Sequence, residues 1–114
     1  MDVRIVKNKI SQEELEDIAK NQFGSMVKAV VDTEKEIMAI GGELHADEEA
    51  ALLENGSAQK NLWGINLYLD KSDEDWIEFD SMINIRPSQA NKSRTVENPE
   101  IREKIMMIVL KLTR

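Results

Sequence analysis

The residues best suited to chemistry lie in GGELHADEEA, residues 41–50, where Glu43 stands two positions before His45, the only histidine of the chain. On an extended segment residues two apart face the same side. An imidazole beside a carboxylate could act as an acid–base couple or form half of a metal site. A metal site takes three or four ligands, and the sequence offers no second histidine and no cysteine. No metal, cofactor or catalytic residue is therefore assigned. The structural alternative is a turn feeding a helix. Asp47, Glu48 and Glu49 would complement the positive end of the helix dipole, each by roughly 0.3–1 kcal/mol, while Gly41 and Gly42 relieve a bend at a strand end. With the turn and helix so placed, His45 is expected to face a ligand or partner and its loss to cost little stability, whereas a purely structural His45 predicts the opposite.

A second group lies on the polar face of LWGINLYL and WIEFDSMINI. If the two segments pair with Leu67 opposite Phe79 and Ile65 opposite Ser81, Asn66 falls opposite Asp80 and Tyr68 opposite Glu78. Trp76 begins that face, and Met82 and Asn84 extend it. Two carboxylates, an amide, a phenol and an indole suit a basic peptide or a polar ligand; the alternative is a solvated sheet face. Trp76 and Met82, read as exposed, favour a surface in use, since aromatics and methionine are enriched in interface cores. The third group, Arg86, Ser88, Lys92, Ser93 and Arg94, gathers positive charge and hydroxyls in a polar loop. Arginine forks suit carboxylate or phosphate. The loop contains no glycine and no nucleotide-binding fingerprint, and it could equally be a spacer.

These residues need elements to hold them. Ser11 followed by Glu14 is a capping box, with Ile10 and Leu15 as its hydrophobic staple. Leu15, Ile18, Ala19 and Phe23 share a helical face, and Gly24 supplies a left-handed stop. MVKAVVDTEKEIMAI reads as two strands around a four- or five-residue loop. A second helix spans about residues 46–54 and ends at Asn55-Gly56. Trp63, Ile65, Leu67 and Leu69 share one strand face; Ile77, Phe79, Ser81, Ile83 and Ile85 share another, across a short acidic connection. Asn98 as N-cap and Pro99 at the first position open a C-terminal helix lined by Ile101, Ile105, Ile108, Val109 and Leu112. The order is β-α-β-β-α-β-β-α: an α+β fold with an antiparallel sheet of four to five strands and helices packed mainly on one face.

At 114 residues and 41% hydrophobic content the whole chain, residues 1–114, reads as a single domain. No segment approaches a membrane span or a signal peptide, so a cytoplasmic location is expected. The net charge of −7 argues against direct nucleic-acid binding and favours basic partners. Apolar residues on both sides of MVKAVV leave a homo-oligomer open.

The blocks MVKAVVD, IMAIGGELHADEE, NLWGINLY and DWIEFDSMINIRPSQ resemble a family of small bacterial proteins of unknown function, nearly end to end from about residue 10 to residue 112. Some members of that family are labelled the antitoxin part of a toxin–antitoxin system. The resemblance implies a folded, acidic binding protein that docks a basic protein partner, a toxin being one candidate. The alternative is a small-ligand protein or enzyme using His45 with nearby carboxylates and loop arginines.

Overall fold

The computed structural model describes residues 2–114 and, for Asp73 and Glu74, the backbone alone. The chain runs β1 (Arg4–Val6), α1 (Gln12–Lys20), β2 (Met26–Asp32), β3 (Ile37–Ile40), α2 (His45–Glu54), β4 (Leu62–Tyr68), β5 (Ile77–Glu78) and α3 (Pro99–Thr113). This is the expected order. The five strands form one sheet in the order β1-β3-β2-β4-β5, every neighbour antiparallel.

Local signals act as their chemistry requires. The Ser11 hydroxyl accepts the Glu14 N–H at 3.1 Å and the Glu14 carboxylate reaches back to the Ser11 N–H, closing the capping box. Gly24 (φ +87°) donates to the Ala19 carbonyl at 2.7 Å and ends the first helical segment. Residues 33–36 make the loop between β2 and β3. Asp32, buried, accepts the N–H groups of Glu34 and Lys35 at 2.9 Å each and the Ser57 hydroxyl at 2.6 Å, so one side chain both shapes the turn and ties it to the end of α2. The Asn98 side chain accepts the Glu100 N–H at 2.8 Å and Pro99 opens α3.

Strand alternation divides the core. Val27, Ala29 and Val31 of β2, Met38 and Ile40 of β3, and Trp63, Ile65 and Leu67 of β4 face α1 and α3, where they meet Leu15, Ala19, Ile105 and Val109. Val30, Ala39 and Leu62 face the other way, onto Leu52 of α2. Two of the three helices thus share a face and α2 covers the other.

The final hairpin departs from expectation. Leu67 pairs with Ile77 and Asn66 with Glu78, two residues away from the expected register, and β5 ends after two residues. Ser81 then caps a short 3-10 turn, Met82–Asn84, its hydroxyl accepting the Ile83 N–H at 3.3 Å. The side chain of Asn84 replaces the missing strand. Its Oδ1 accepts the Gly64 N–H at 2.8 Å, and its Nδ2 donates to the Gly64 carbonyl at 3.0 Å and the Arg94 carbonyl at 2.9 Å. Gly64 has to be glycine: a Cβ there would stand 2.5 Å from Ser81 Cβ. Ser81 and Ile83 therefore lie on the α2 side of the sheet, not beside Ile77 and Phe79, and Asn84 is wholly buried. Trp76, expected exposed, is 4% exposed in the α1/α3 core, with the Arg114 guanidinium 4.5 Å from its ring centroid.

Candidate functional site

Gly41 (φ +90°) and Gly42 end β3 and swing the chain toward α2. A Cβ at Gly42 would stand 2.8 Å from Glu48 Cγ, so the second glycine makes room for that side chain. Asp47 sits in the first turn, as expected of a dipole-complementing acid. Glu48 also lies in the first turn, as expected, but does not act there as a charged acid. It is fully buried, its Oε2 accepts the Gly42 N–H at 3.0 Å, and its Oε1 has no partner. Burial pushes its pKa up from 4.5 to about 9, against the opposing pull of the Gly42 N–H and of Lys28. A carboxyl group so placed is a neutral acid at pH 7.

His45 opens α2 and turns its ring onto β4, Nε2 lying 2.8 Å from the Ile65 carbonyl oxygen. A carbonyl only accepts, so Nε2 carries the proton and donates. Burial lowers the imidazole pKa, with the Ile65 carbonyl working in the opposite direction. The ring is thus a neutral tie between α2 and β4 as well as part of a surface.

That surface is a cleft of about 260 Å³ between the start of α2 and the segment after β5. Leu44, His45 and Ala46 form one wall; Asp80, Ser81, Met82 and Ile83 form the other. Its floor includes Lys28 and Asn66, which are cross-strand partners in β2 and β4. Arg94 closes one end, its Nε 2.8 Å from Asp80 Oδ1 and its Nη2 3.2 Å from Asp80 Oδ2. The Asn66 Nδ2 donates to Glu78 Oε1 at 2.8 Å and to the Asp80 carbonyl at 3.2 Å, which fixes which end of the amide is nitrogen. Its Oδ1, in a residue only 6% exposed, has no donor at hydrogen-bonding distance, although the Asn66 side chain acts on the nearby His45 ring and works against the burial that lowers the imidazole pKa.

Five of the residues singled out in the sequence, His45, Asn66, Asp80, Met82 and Arg94, therefore meet in one cleft. Tyr68 and Glu78 stand beside it: the Tyr68 hydroxyl donates to Glu78 Oε1 at 3.0 Å, and this bond raises the phenol pKa. The rest lie elsewhere. Glu43 borders a separate hollow with Asn21, Gln22 and Phe23. Trp76 belongs to the opposite core. Arg86 is engaged structurally, donating to the Gln59 and Leu62 carbonyls with its guanidinium 4.2 Å from the Trp63 ring centroid. Ser88 is exposed in the short turn Pro87–Gln89. The loop around them is built, not slack. Buried Asn91 donates to the carbonyls of Asn84 (2.7 Å), Ser93 (3.1 Å) and Thr95 (2.7 Å). Lys28 escaped sequence reading because nothing local indicates that β2 pairs with β4. Asn84, expected on the polar sheet face, is instead wholly buried against Gly64, and Asn91 escaped sequence reading because a buried asparagine has the same composition as a loop asparagine.

With donors at Lys28 and Arg94, acceptors at Asn66 and Asp80, and apolar surface from Met26, Met82 and Ile83, the cleft has the composition of a small binding site. Among the described residues, no helix is long and apolar enough to cross a membrane.

Fold and cleft together define an antiparallel α+β protein with one apolar face and one face that carries a polar cleft. Over residues 4–112 the sequence matches the family model described as "Protein of unknown function (DUF5674)", and the chain belongs to that family. No curated protein and no solved structure matches it. The family description carries no activity, and the antitoxin expectation gains nothing from it.

Proposed function

We propose that this is a binding protein that holds a small polar ligand in the cleft between α2 and residues 80–83. The unmet Oδ1 of Asn66 carries the reading. A buried acceptor without a donor costs about 1–3 kcal/mol, and each such atom in a folded protein asks for an explanation. A ligand donor seated in the cleft supplies one. His45, with its ring nitrogen spent on a main-chain carbonyl, supports holding rather than proton transfer. Nuclear magnetic resonance of the Asn66 side-chain amide and the His45 ring, recorded while small polar solutes are added, tests this. Binding shifts both groups together. If saturating concentrations of carboxylates, amines, amides and polyols leave both unmoved, the reading is wrong.

A basic protein partner, an antitoxin's target among them, is the second reading. Leu44 and Met82 favour it, standing 57% and 66% exposed at the rim of the cleft in a chain of net charge −7. The acids expected to attract such a partner are engaged, Glu78 by Tyr68 and Asn66 and Asp80 by Arg94, so the apolar rim would carry the contact. Complementary charge would make the association salt-sensitive. A low-salt pull-down that returns no stoichiometric basic protein removes it.

A further inference from the structure

Resting on the cleft as a ligand site, we propose that its ligand is a free α-amino acid with an apolar side chain. Three features of the cleft call for three different groups on one small molecule. The first is a demand for negative charge. Lys28 makes no ion pair among the described residues, its ammonium lying 5.0 Å from the Phe23 ring centroid. Beside it starts the ten-residue helix α2, whose N-cap, Leu44, brings no side-chain acceptor to the first N–H groups. A carboxylate placed between them meets a cation and the positive end of a helix dipole.

The second demand is for a hydrogen-bond donor, made by Asn66 Oδ1, which is buried, borders the same space and has no donor at bonding distance; the neighbouring His45 ring spends its Nε2 proton on the Ile65 carbonyl. Its amide cannot turn over to offer nitrogen instead, because that would set Oδ1 against the Glu78 carboxylate and the Asp80 carbonyl, both acceptors. Asp80, held from behind by Arg94, adds negative potential on this side. An ammonium satisfies both. A simple carboxylic acid would leave Oδ1 without a donor, and a simple amine would leave Lys28 without a counter-anion and the helix start without an acceptor. The third feature is the apolar surface of Met26, Met82 and Ile83, which suits an aliphatic side chain. The cleft's volume of about 260 Å³ falls under the roughly 300–1,000 Å³ of sites for drug-sized ligands, which fits a molecule of amino-acid size.

Calorimetry on the full chain with leucine and valine, each beside its analogue lacking the amine, its analogue lacking the carboxylate and its N-acetyl derivative, tests the proposal. The intact amino acid binds, and deleting either charged group weakens binding about tenfold or more. Asn66→Leu weakens the amino acid about tenfold but leaves the amine-free acid unchanged. Lys28→Met does the reverse, sparing the carboxylate-free amine. Should either variant fail to fold, judged by its melting curve, the analogue series on the wild-type chain decides alone. Equal binding of the amine-free acid or of the N-acetyl derivative overturns the proposal, the latter pointing to a peptide C-terminus. If neutral amides or polyols shift Asn66 and His45 while the amino acids do not, the ligand class is wrong and the cleft reading stands. If no solute shifts them, both fall.

Discussion

The two faces of the sheet are closed by different physics. Beneath α1 and α3, the side chains of Leu15, Met38, Ile40, Ile65, Leu67, Ile105 and Leu112 bury each other, and the buried hydroxyl of Thr113 is met by the Val109 carbonyl of its own helix. That attraction is non-directional and scales with the area removed from water. Beneath and beside α2, the small cluster of Val30, Ala39, Leu52 and Leu62 is surrounded by buried polar groups: Asp32, Glu48, Asn66, Ser81 and Asn84. Each of these needs a partner at a set distance and angle, and where one is missing the cost stays localised on a single atom. Asn84 has every partner it needs; Asn66 Oδ1 and Glu48 Oε1 do not. The apolar face can only be packed well or badly. The polar face can be left one bond short, and a ligand site is built that way.

Truncation of the apolar face gives the largest effect. Ile65→Ala removes a wholly buried side chain in the middle of β4 and is expected to cost about 2–5 kcal/mol, by the same amount across the pH range. Denaturant unfolding at pH 5 and pH 8 checks it. A loss under about 1 kcal/mol would mean that this face is loosely packed and the contrast between the faces is false.

Glu48→Gln acts on the other face, and its effect depends on pH. The folded-state pKa of about 9 lies above the ordinary 4.5, so the folded protein holds this proton more tightly than the unfolded chain does. Its contribution is therefore fully present below pH 4.5 and is lost as pH rises toward 9, amounting by pH 7 to on the order of 3 kcal/mol. Glutamine cannot titrate and still accepts the Gly42 N–H. The variant's stability is expected to stay level where the wild type declines, so that it melts higher at pH 8 and close to the wild type at pH 4.5. Parallel decline of the two proteins would show that Glu48 ionises without penalty and that the α2 face is wetter than its burial implies.

The smallest effect belongs to Asp47→Ala. Asp47 is exposed in the first turn of α2 and contributes through the helix dipole, so about 0.3–1 kcal/mol is expected, shrinking in high salt. A thermal melt at low and high ionic strength reads it. A larger, salt-independent loss would place Asp47 among the groups that hold the α2 face together.

The same contrast explains what could be read ahead of the structure. GGELHADEEA was half legible: Gly41, Gly42 and Asp47 do what their types suggest, because a left-handed bend and a first-turn acid are local requirements. Glu48, one residue further on, looks the same in sequence and is buried, because its position is set by Gly42 and the sheet beneath. His45, read as a contact residue of little structural weight, also ties α2 to the Ile65 carbonyl. In the last hairpin the alternation Ile77, Phe79, Ser81, Ile83, Ile85 reads as one long strand. It fails after Glu78 because the Asn84 side chain and Arg86 occupy the backbone groups of Gly64 and Leu62 that a strand would have used.

By itself the sequence determined the element order, the helix caps at Ser11 and Asn98, the turn glycine at Gly24 and much of the apolar core, since these depend on neighbours within a turn of helix or a step of strand; it misplaced Trp76, which is buried, and Phe23 and Ile85, which are exposed. Only the tertiary structure decided that β2 lies between β3 and β4, which sets Lys28 beside Asn66. It also decided that Asp80 and Arg94 close over them. A cleft is made of residues far apart in the chain, and whether a polar side chain there is solvated, paired or left waiting for a ligand depends on the atoms that folding brings to it.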